Sequence, residues 1–283
     1  MRAFHSFWSA PNRSRHGGEI VMPDYELLTM MLSALKWRQW NGTIQMVTDS
    51  AGAAFFRRAG LLELWSEPVS TALDGLEIDP FRFWAAGKLR ALRGMDAPCV
   101  MLDTDLIVWA DIQPLLTDAA VAAHREALNP DVYPDPADAF VLAADYAFPA
   151  LWDFSLPAAN TAFLYLPSDK LKNDYVDAAF AFMRALRNDA IDPTVSMCFA
   201  EQRILPMCAA SHGVPLRTLL DEDALNDQTF LTHLWGHKGE LEASPERRVA
   251  YCLRCVLRIL RDFPAWESVL AANDQTAPYL DNL

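Results

Sequence analysis

The stretch "PCVMLDTDLIVW" (residues 98–109) sets two aspartates inside an apolar run. A run of Val, Met, Leu and Ile belongs to the interior of a sheet, where an unpaired carboxylate costs several kcal/mol. Asp103 and Asp105 therefore mark either a strand end open to water or a place where a cation meets them. If the extended form persists through them, alternation aims both carboxylates to one side. Two hard oxygen ligands so placed suit Mg²⁺ or Mn²⁺ carrying a diphosphate.

The segments upstream supply a fold for that strand. "RAFHSFW" reads as a first strand and "SAPNRSRHGG" as a polar loop. "DYELLTMMLSALKWRQW" has helical apolar spacing, with Asp24 placed to cap it. "TIQMVTD" is a second strand ending at Asp49, and "AGAAFFRRAG" is a short helix stopped by Gly60. "LLELWSE" reads as a further strand, and "DPFRFWAAGKLRALRGM" as an amphipathic helix leading into the Asp-bearing strand. This alternation predicts an α/β protein with a mostly parallel sheet and covering helices. Nucleotide ligands of such sheets bind beyond the carboxyl ends of the strands, where Asp49, Asp103 and Asp105 fall.

The second half is less regular. "ALNPDVYPDPADAF" reads as a loop, "ANTAFLYLPS" as a short strand, and "DKLKNDYVDAAFAFMRALRND" as a helix with Asp169 at its cap. "SMCFAEQRILPMCAASHG" is a helix interrupted near Pro206, and "THLWGHKGE" is a Gly-containing loop. "SPERRVAYCLRCVLRILRDF" is a final helix started by Ser244 and Pro245, and the tail "NDQTAPYLDNL" reads as loosely held. No repeat or linker divides the chain. A single domain over 1–283 is expected, with a nucleotide-binding half (1–110), an acceptor- and metal-completing part (111–243) and a C-terminal helix and tail (244–283).

Composition narrows the partners. The 283 residues are 52% hydrophobic and 22% charged, which suits a packed globule. The net charge of −13 argues against a nucleic-acid surface, so an anionic ligand needs a local site built from metal, Lys or Arg. The five cysteines form no framework. Cys252 and Cys255 share one helix face and, without a second pair, read as core rather than zinc site. No apolar run reaches membrane-span length and the N-terminus lacks a signal-peptide pattern, which predicts a cytoplasmic location. The sequons at Asn12 and Asn41 carry little weight without export.

A second D-x-D, Asp221–Asp223 in "LLDEDALND", sits in an acidic stretch and reads as solvated. The first has ordered company. Helix "FRFWAAGKLRAL" (81–92) before it, then "ANTAFLYL" (159–166), "AEQRILP" (200–206) and "HLWGHK" (233–238) follow in that order. Together they resemble the nucleotide-sugar glycosyltransferases of the GT-A fold. Glycosyltransferase family eight, the glycogenin-like and lipopolysaccharide galactosyltransferase-like enzymes, is most similar, together with an uncharacterised bacterial glycosyltransferase-like group. The resemblance spans residues 81–238, and "FHSFWS" suits its first nucleotide-binding strand.

The resemblance implies a GT-A (Rossmann-like) central sheet with a helical C-terminal part, and a metal-dependent, retaining hexosyltransferase. A UDP-sugar would be the donor and a glycan or other hydroxyl the acceptor. It implies Asp103, Asp105 and His233 as ligands of Mn²⁺ or Mg²⁺. Asn160 and Gln202 fall near the donor sugar and reaction centre. Lys238 matches a phosphate-contacting lysine, one residue nearer the histidine than the family places it, and Gly239 follows where the family has Pro-Trp. His237 beside it is extra and could take the same role. Thr161 and Ala162 depart from the family's Gly-containing continuation.

Ser6, Trp8 and Asp49 sit at the ends of predicted strands and could bind a uracil or ribose, while Lys88 and Arg82 read first as solvated or paired and second as phosphate contacts. Tyr133, Tyr146 and Trp152 could stack on sugar rings or pack in the core. Taken singly, His233 could be a structural histidine, Asn160 could satisfy a strand end, and Glu201 and Gln202 could be exposed helix positions. Two other functions remain open: a metal-dependent nucleotidyltransferase, which usually carries a Gly-rich phosphate loop missing here, and a degenerate GT-A scaffold that binds a glycan or protein partner.

Overall fold

The computed structural model describes residues 1–188, 191–221 and 230–281. Strand β1 (Arg2–Phe7) leads through helix α1 (Ser9–Arg15) to the long α2 (Asp24–Trp40), β2 (Thr43–Thr48) and α3 (Ser50–Arg58). Helix α4 (Ala86–Arg93) precedes β3 (Cys99–Leu102), β4 (Leu106–Val108) and β5 (Ala120–Glu126). After the short α5 (Pro136–Ala139) come β6 (Ala158–Leu166), α6 (Asp169–Ala185), α7 (Pro193–Cys198) and α8 (Ile204–Ser211). Strands β7 (Leu216–Thr218) and β8 (Leu231–His233) are followed by α9 (Lys238–Ala243), α10 (Pro245–Asp262), α11 (Glu267–Ala272) and α12 (Ala277–Leu280).

Six strands form one mixed, mostly parallel sheet in the order β2-β1-β3-β6-β5-β7, with β6 antiparallel to both neighbours. Helices cover both faces, and the side-chain alternation of β3 shows how. Val100 and Leu102 join a core with Met30, Trp37, Val256 and Ile259 from α2 and α10. Cys99 and Met101 join the opposite core with Leu89, Tyr175 and Phe182 from α4 and α6. Cys252 and Cys255 are buried in the first core, as their helix spacing predicts. No helix among the described residues is long and apolar enough to cross a membrane.

The run at 98–109 is two strands rather than one. β3 ends at Leu102, and the amide of Asp103 makes a last bond to the Ala162 carbonyl at 2.7 Å. The chain then turns, and β4 pairs with β8 in a separate two-stranded ribbon, Leu106 opposite His233. Asp103 and Asp105 occupy the hinge between the two sheets.

Other expectations are corrected. "SAPNRSRHGG" is mostly helix α1, because Pro11 is tolerated in a first turn and Asp49 accepts from the Ser9 amide and hydroxyl. "LLELWSE" forms a single 3₁₀ turn at Leu62–Leu64, and the helix expected over 79–95 is limited to Ala86–Arg93. Asp24 and Asp169 are first helical residues rather than caps. Pro23 and Ser168 stand at those caps, and Ser168 accepts from the Leu171 amide.

The interruption expected near Pro206 is a π-helical turn at Phe199–Arg203. A wide turn there fits a proline that offers no amide to the carbonyl four residues back. Ser244 caps α10 as expected, but α10 is not the last helix, and the tail is anchored by buried Thr276 and Tyr279. Asp221 is exposed, and its partner Asp223 lies outside the described residues.

Candidate active site

A cleft of about 410 Å³ opens beyond the carboxyl ends of β1 and β3. β1 delivers Ser6, with Trp8 just past it, and the hinge after β3 delivers Asp103 and Asp105. Lys88 comes from α4, Asn160 from β6, Gln202 from the π turn, His233 from β8 and Lys238 from α9. Nine of the residues singled out in the sequence thus line one cavity.

Asp103, Asp105 and His233 each offer a ligand atom within 4.8 Å of the others. His233 Nε2 lies 3.7 Å from Asp105 Oδ1. Burial pushes the His233 imidazole down to about 4, against the pull of Asp105, so the ring is neutral at pH 7 and keeps a lone pair for a metal. Two carboxylates and one imidazole are a donor set that Mn²⁺ or Mg²⁺ accepts.

Two lysines balance the carboxylates. Lys88 Nζ lies 2.8 Å from Asp103 Oδ1 and also bonds Glu201. Lys238 Nζ lies 2.9 Å from Asp105 Oδ2 and 2.9 Å from Glu26 Oε1. Burial drives the Asp103 carboxyl up to about 7, with Lys88 only partly offsetting it. Burial would raise Asp105 too, but Lys238 and His233 outweigh it and hold Asp105 below the usual carboxylate range. Both ammonium groups are held above the ordinary lysine value, the facing carboxylates outweighing burial.

Asn160 and Gln202 are fixed from behind. The Asn160 amide donates to Glu126 Oε1 at 3.1 Å, while its oxygen accepts from the Ala162 amide at 3.0 Å. The Gln202 oxygen accepts from the Tyr133 hydroxyl. Tyr133 therefore positions Gln202, whereas Tyr146 and Trp152 pack with Phe148 in an aromatic cluster.

Three candidates for nucleotide contact, Asp49, His237 and Arg82, do not line the cleft. Asp49 is buried and caps both α1 and α3, accepting from the amides of Ser9 and Gly52. His237 is exposed, 3.6 Å from Glu240, and faces a different hollow. Conversely, the cleft contains Trp84 and Trp235, which sequence reasoning passed over, and Glu201, for which an exposed helix position was the alternative reading. Glu201 is only 6% exposed, and Lys88 and Thr161 both donate to it. Its apolar flanks in "FAEQRIL" carried the signal. Glu26 reaches Lys238 from α2, and nothing local in the sequence announces it.

The chain belongs to DUF6734, a family of unknown function, whose pattern matches residues 1–236. No curated protein matches this DUF6734 chain. Among solved structures it is similar to the glycosyltransferase GlyE of Streptococcus pneumoniae TIGR4, at 14% identity and a TM-score of 0.40. That match covers 77% of this chain and 44% of GlyE, so the chain spans less than half of that enzyme. PaToxG glycosyltransferase is 9% identical with a TM-score of 0.43, covering 99% of this chain and 84% of its own. Mouse xyloside xylosyltransferase 1 is 10% identical with a TM-score of 0.38, covering 77% of this chain and 84% of its own.

Proposed function

We propose that this protein is a metal-dependent glycosyltransferase that moves a sugar from a UDP-sugar to a hydroxyl acceptor, with retention of configuration. The observation that carries the reading is the meeting of Asp103, Asp105 and His233, each with a ligand atom within 4.8 Å of the others, at the carboxyl end of a mostly parallel sheet. Those three residues would hold Mn²⁺ or Mg²⁺. The ion would supply Lewis-acid stabilisation of the leaving diphosphate.

The chain's own groups have distinct tasks. Ser6 and Trp8 line the β1 side, where a uridine would lie. Lys238 lines the cleft and would donate to phosphate oxygens, adding positive charge where the leaving group becomes more anionic. Asn160 and Gln202, locked by Glu126 and Tyr133, would orient the donor sugar with little rotamer freedom left to lose.

Titration with UDP, with and without Mn²⁺, tests the reading. Metal-dependent binding that disappears in Asp105→Ala is expected, together with hydrolysis or transfer from a UDP-sugar. Equal UDP affinity with and without metal would overturn it.

A further inference from the structure

On the far side of His233 lies a second hollow, of about 550 Å³, and its chemistry differs from that of the metal cleft. Its aromatic wall is Trp109 and Tyr251, and its cationic wall is Arg247, Arg254 and Arg258 from one face of α10. Arg258 lies 4.7 Å from the Trp109 ring centre and Arg254 lies 5.9 Å from that of Tyr251. Arg247 is engaged by Glu240 at 2.8 Å, and Arg258 Nε by Asp262 at 2.7 Å. Arg254 is exposed and makes no ion pair with a described residue. Glu240, which also lines the hollow, and Asp262 each offset one guanidinium, so in a chain of net charge −13 the positive character of the cavity rests on Arg254 and the outer nitrogens of its neighbours.

We propose that this hollow binds a sugar-sized organic anion, with its ring against Trp109 and Tyr251 and a phosphate or carboxylate held by Arg254 and the outer nitrogens of Arg258. Planar guanidinium groups match both head groups, and aromatic faces suit the apolar side of a sugar ring. The hollow and the metal cleft share His233 in their linings, so the two sites are neighbours on either side of that residue. On the reading that the cleft is a transferase centre, the ligand is the acceptor, and the acceptor is acidic rather than neutral.

Binding measured by calorimetry, without metal or nucleotide, separates this proposal from the transferase reading. Glucose 6-phosphate, glucuronate and glucose serve as probes. One or both anions are expected to bind at least about tenfold more tightly than glucose, the worth of one charge-assisted contact. The stronger anion identifies the head group as phosphate or carboxylate. Arg254→Gln, an exposed and conservative change, should remove that preference while leaving UDP–Mn²⁺ affinity intact. Equal affinity for glucose, no binding of either anion, or an unaltered Arg254→Gln would overturn the proposal. A protein that binds the anions but no UDP would keep this site and lose the transferase reading.

Discussion

Lys238 holds its ammonium 2.9 Å from Oδ2 of Asp105, on the carboxylate that also faces His233. The lysine therefore occupies one oxygen that a divalent cation would want, and Glu26 supplies its alternative partner at 2.9 Å. Lys238→Met should strengthen Mn²⁺ binding to the nucleotide-free protein several-fold, because a competitor for Asp105 is gone. The same change should weaken UDP binding in the presence of Mn²⁺, because a phosphate donor is gone. Calorimetry of both ligands reads this, and two shifts of the same sign would contradict it.

Lys88 joins Asp103 and Glu201 in a half-buried cluster, with only 16% of its own side chain exposed. Lys88→Met leaves two carboxylates facing one another with no cation between them. Breaking such a pair from one side costs about 3 kcal/mol or more, since the surviving charge stays desolvated. The double variant Lys88→Met/Glu201→Gln should recover part of that loss in urea denaturation, because it removes one of the stranded charges. A double variant no more stable than the single would show that the cluster is not what holds this region.

The parts legible in the sequence are those whose signal is local and repeated. Helices α6 and α10 carry several turns of apolar spacing, α2 is a long apolar stretch buried without a break from Leu27 to Trp37, and β1, β2 and β6 carry strand patterns bounded by turn residues. Strand β5 went unread because "AVAAHRE" has small side chains and becomes a strand only through its neighbours β6 and β7. The helical reading of residues 79–85 failed because a helical apolar pattern is also met by turns that bury Phe83 and Ala85. In the site, ordered motifs brought most cleft residues into view. Asp49, expected at the nucleotide, serves as a helix cap, a task a strand-end aspartate meets as readily as that of a ligand.

That cap makes a prediction of its own. Asp49 accepts from the Ser9 amide at 2.9 Å, the Ser9 hydroxyl at 2.8 Å and the Gly52 amide at 2.8 Å. Asp49→Ala removes the caps of two helices at once and should cost about 2 kcal/mol, near the top of the range for a single cap. UDP affinity should change little, since Asp49 does not line the metal cleft. A large loss of UDP binding with unaltered stability would return Asp49 to the nucleotide site.

Two buried histidines set the acid limit of stability. His5 is fully buried: its Nδ1 accepts from Trp65 Nε1 at 3.3 Å, so its Nε2–H faces Ser33 Oγ at 3.0 Å. A second proton would set Nδ1–H against the indole N–H, and burial already pushes His5 down to about 3, partly countered by Asp105. His233 is likewise pushed down to about 4 by burial. Both values lie below the unfolded value of 6.5, so the folded protein stays neutral at these rings while the unfolded chain takes up protons. The histidines' contribution is therefore fully present above about pH 6.5 and falls as pH drops toward 4, by about 1.4 kcal/mol per pH unit for each, while Asp103, pushed up to about 7 by burial, takes up a proton on folding over the same range and offsets about one of them. Urea denaturation in EDTA between pH 5.5 and 4.5 should show the net fall that remains. In His5→Gln the slope should be shallower by about 1.4 kcal/mol per unit, even though the variant is less stable at pH 7.5. An unaltered slope in His5→Gln would mean that the ring already carries its proton in the folded state, and with it that the Trp65–His5–Ser33 chain does not have the polarity its geometry gives it.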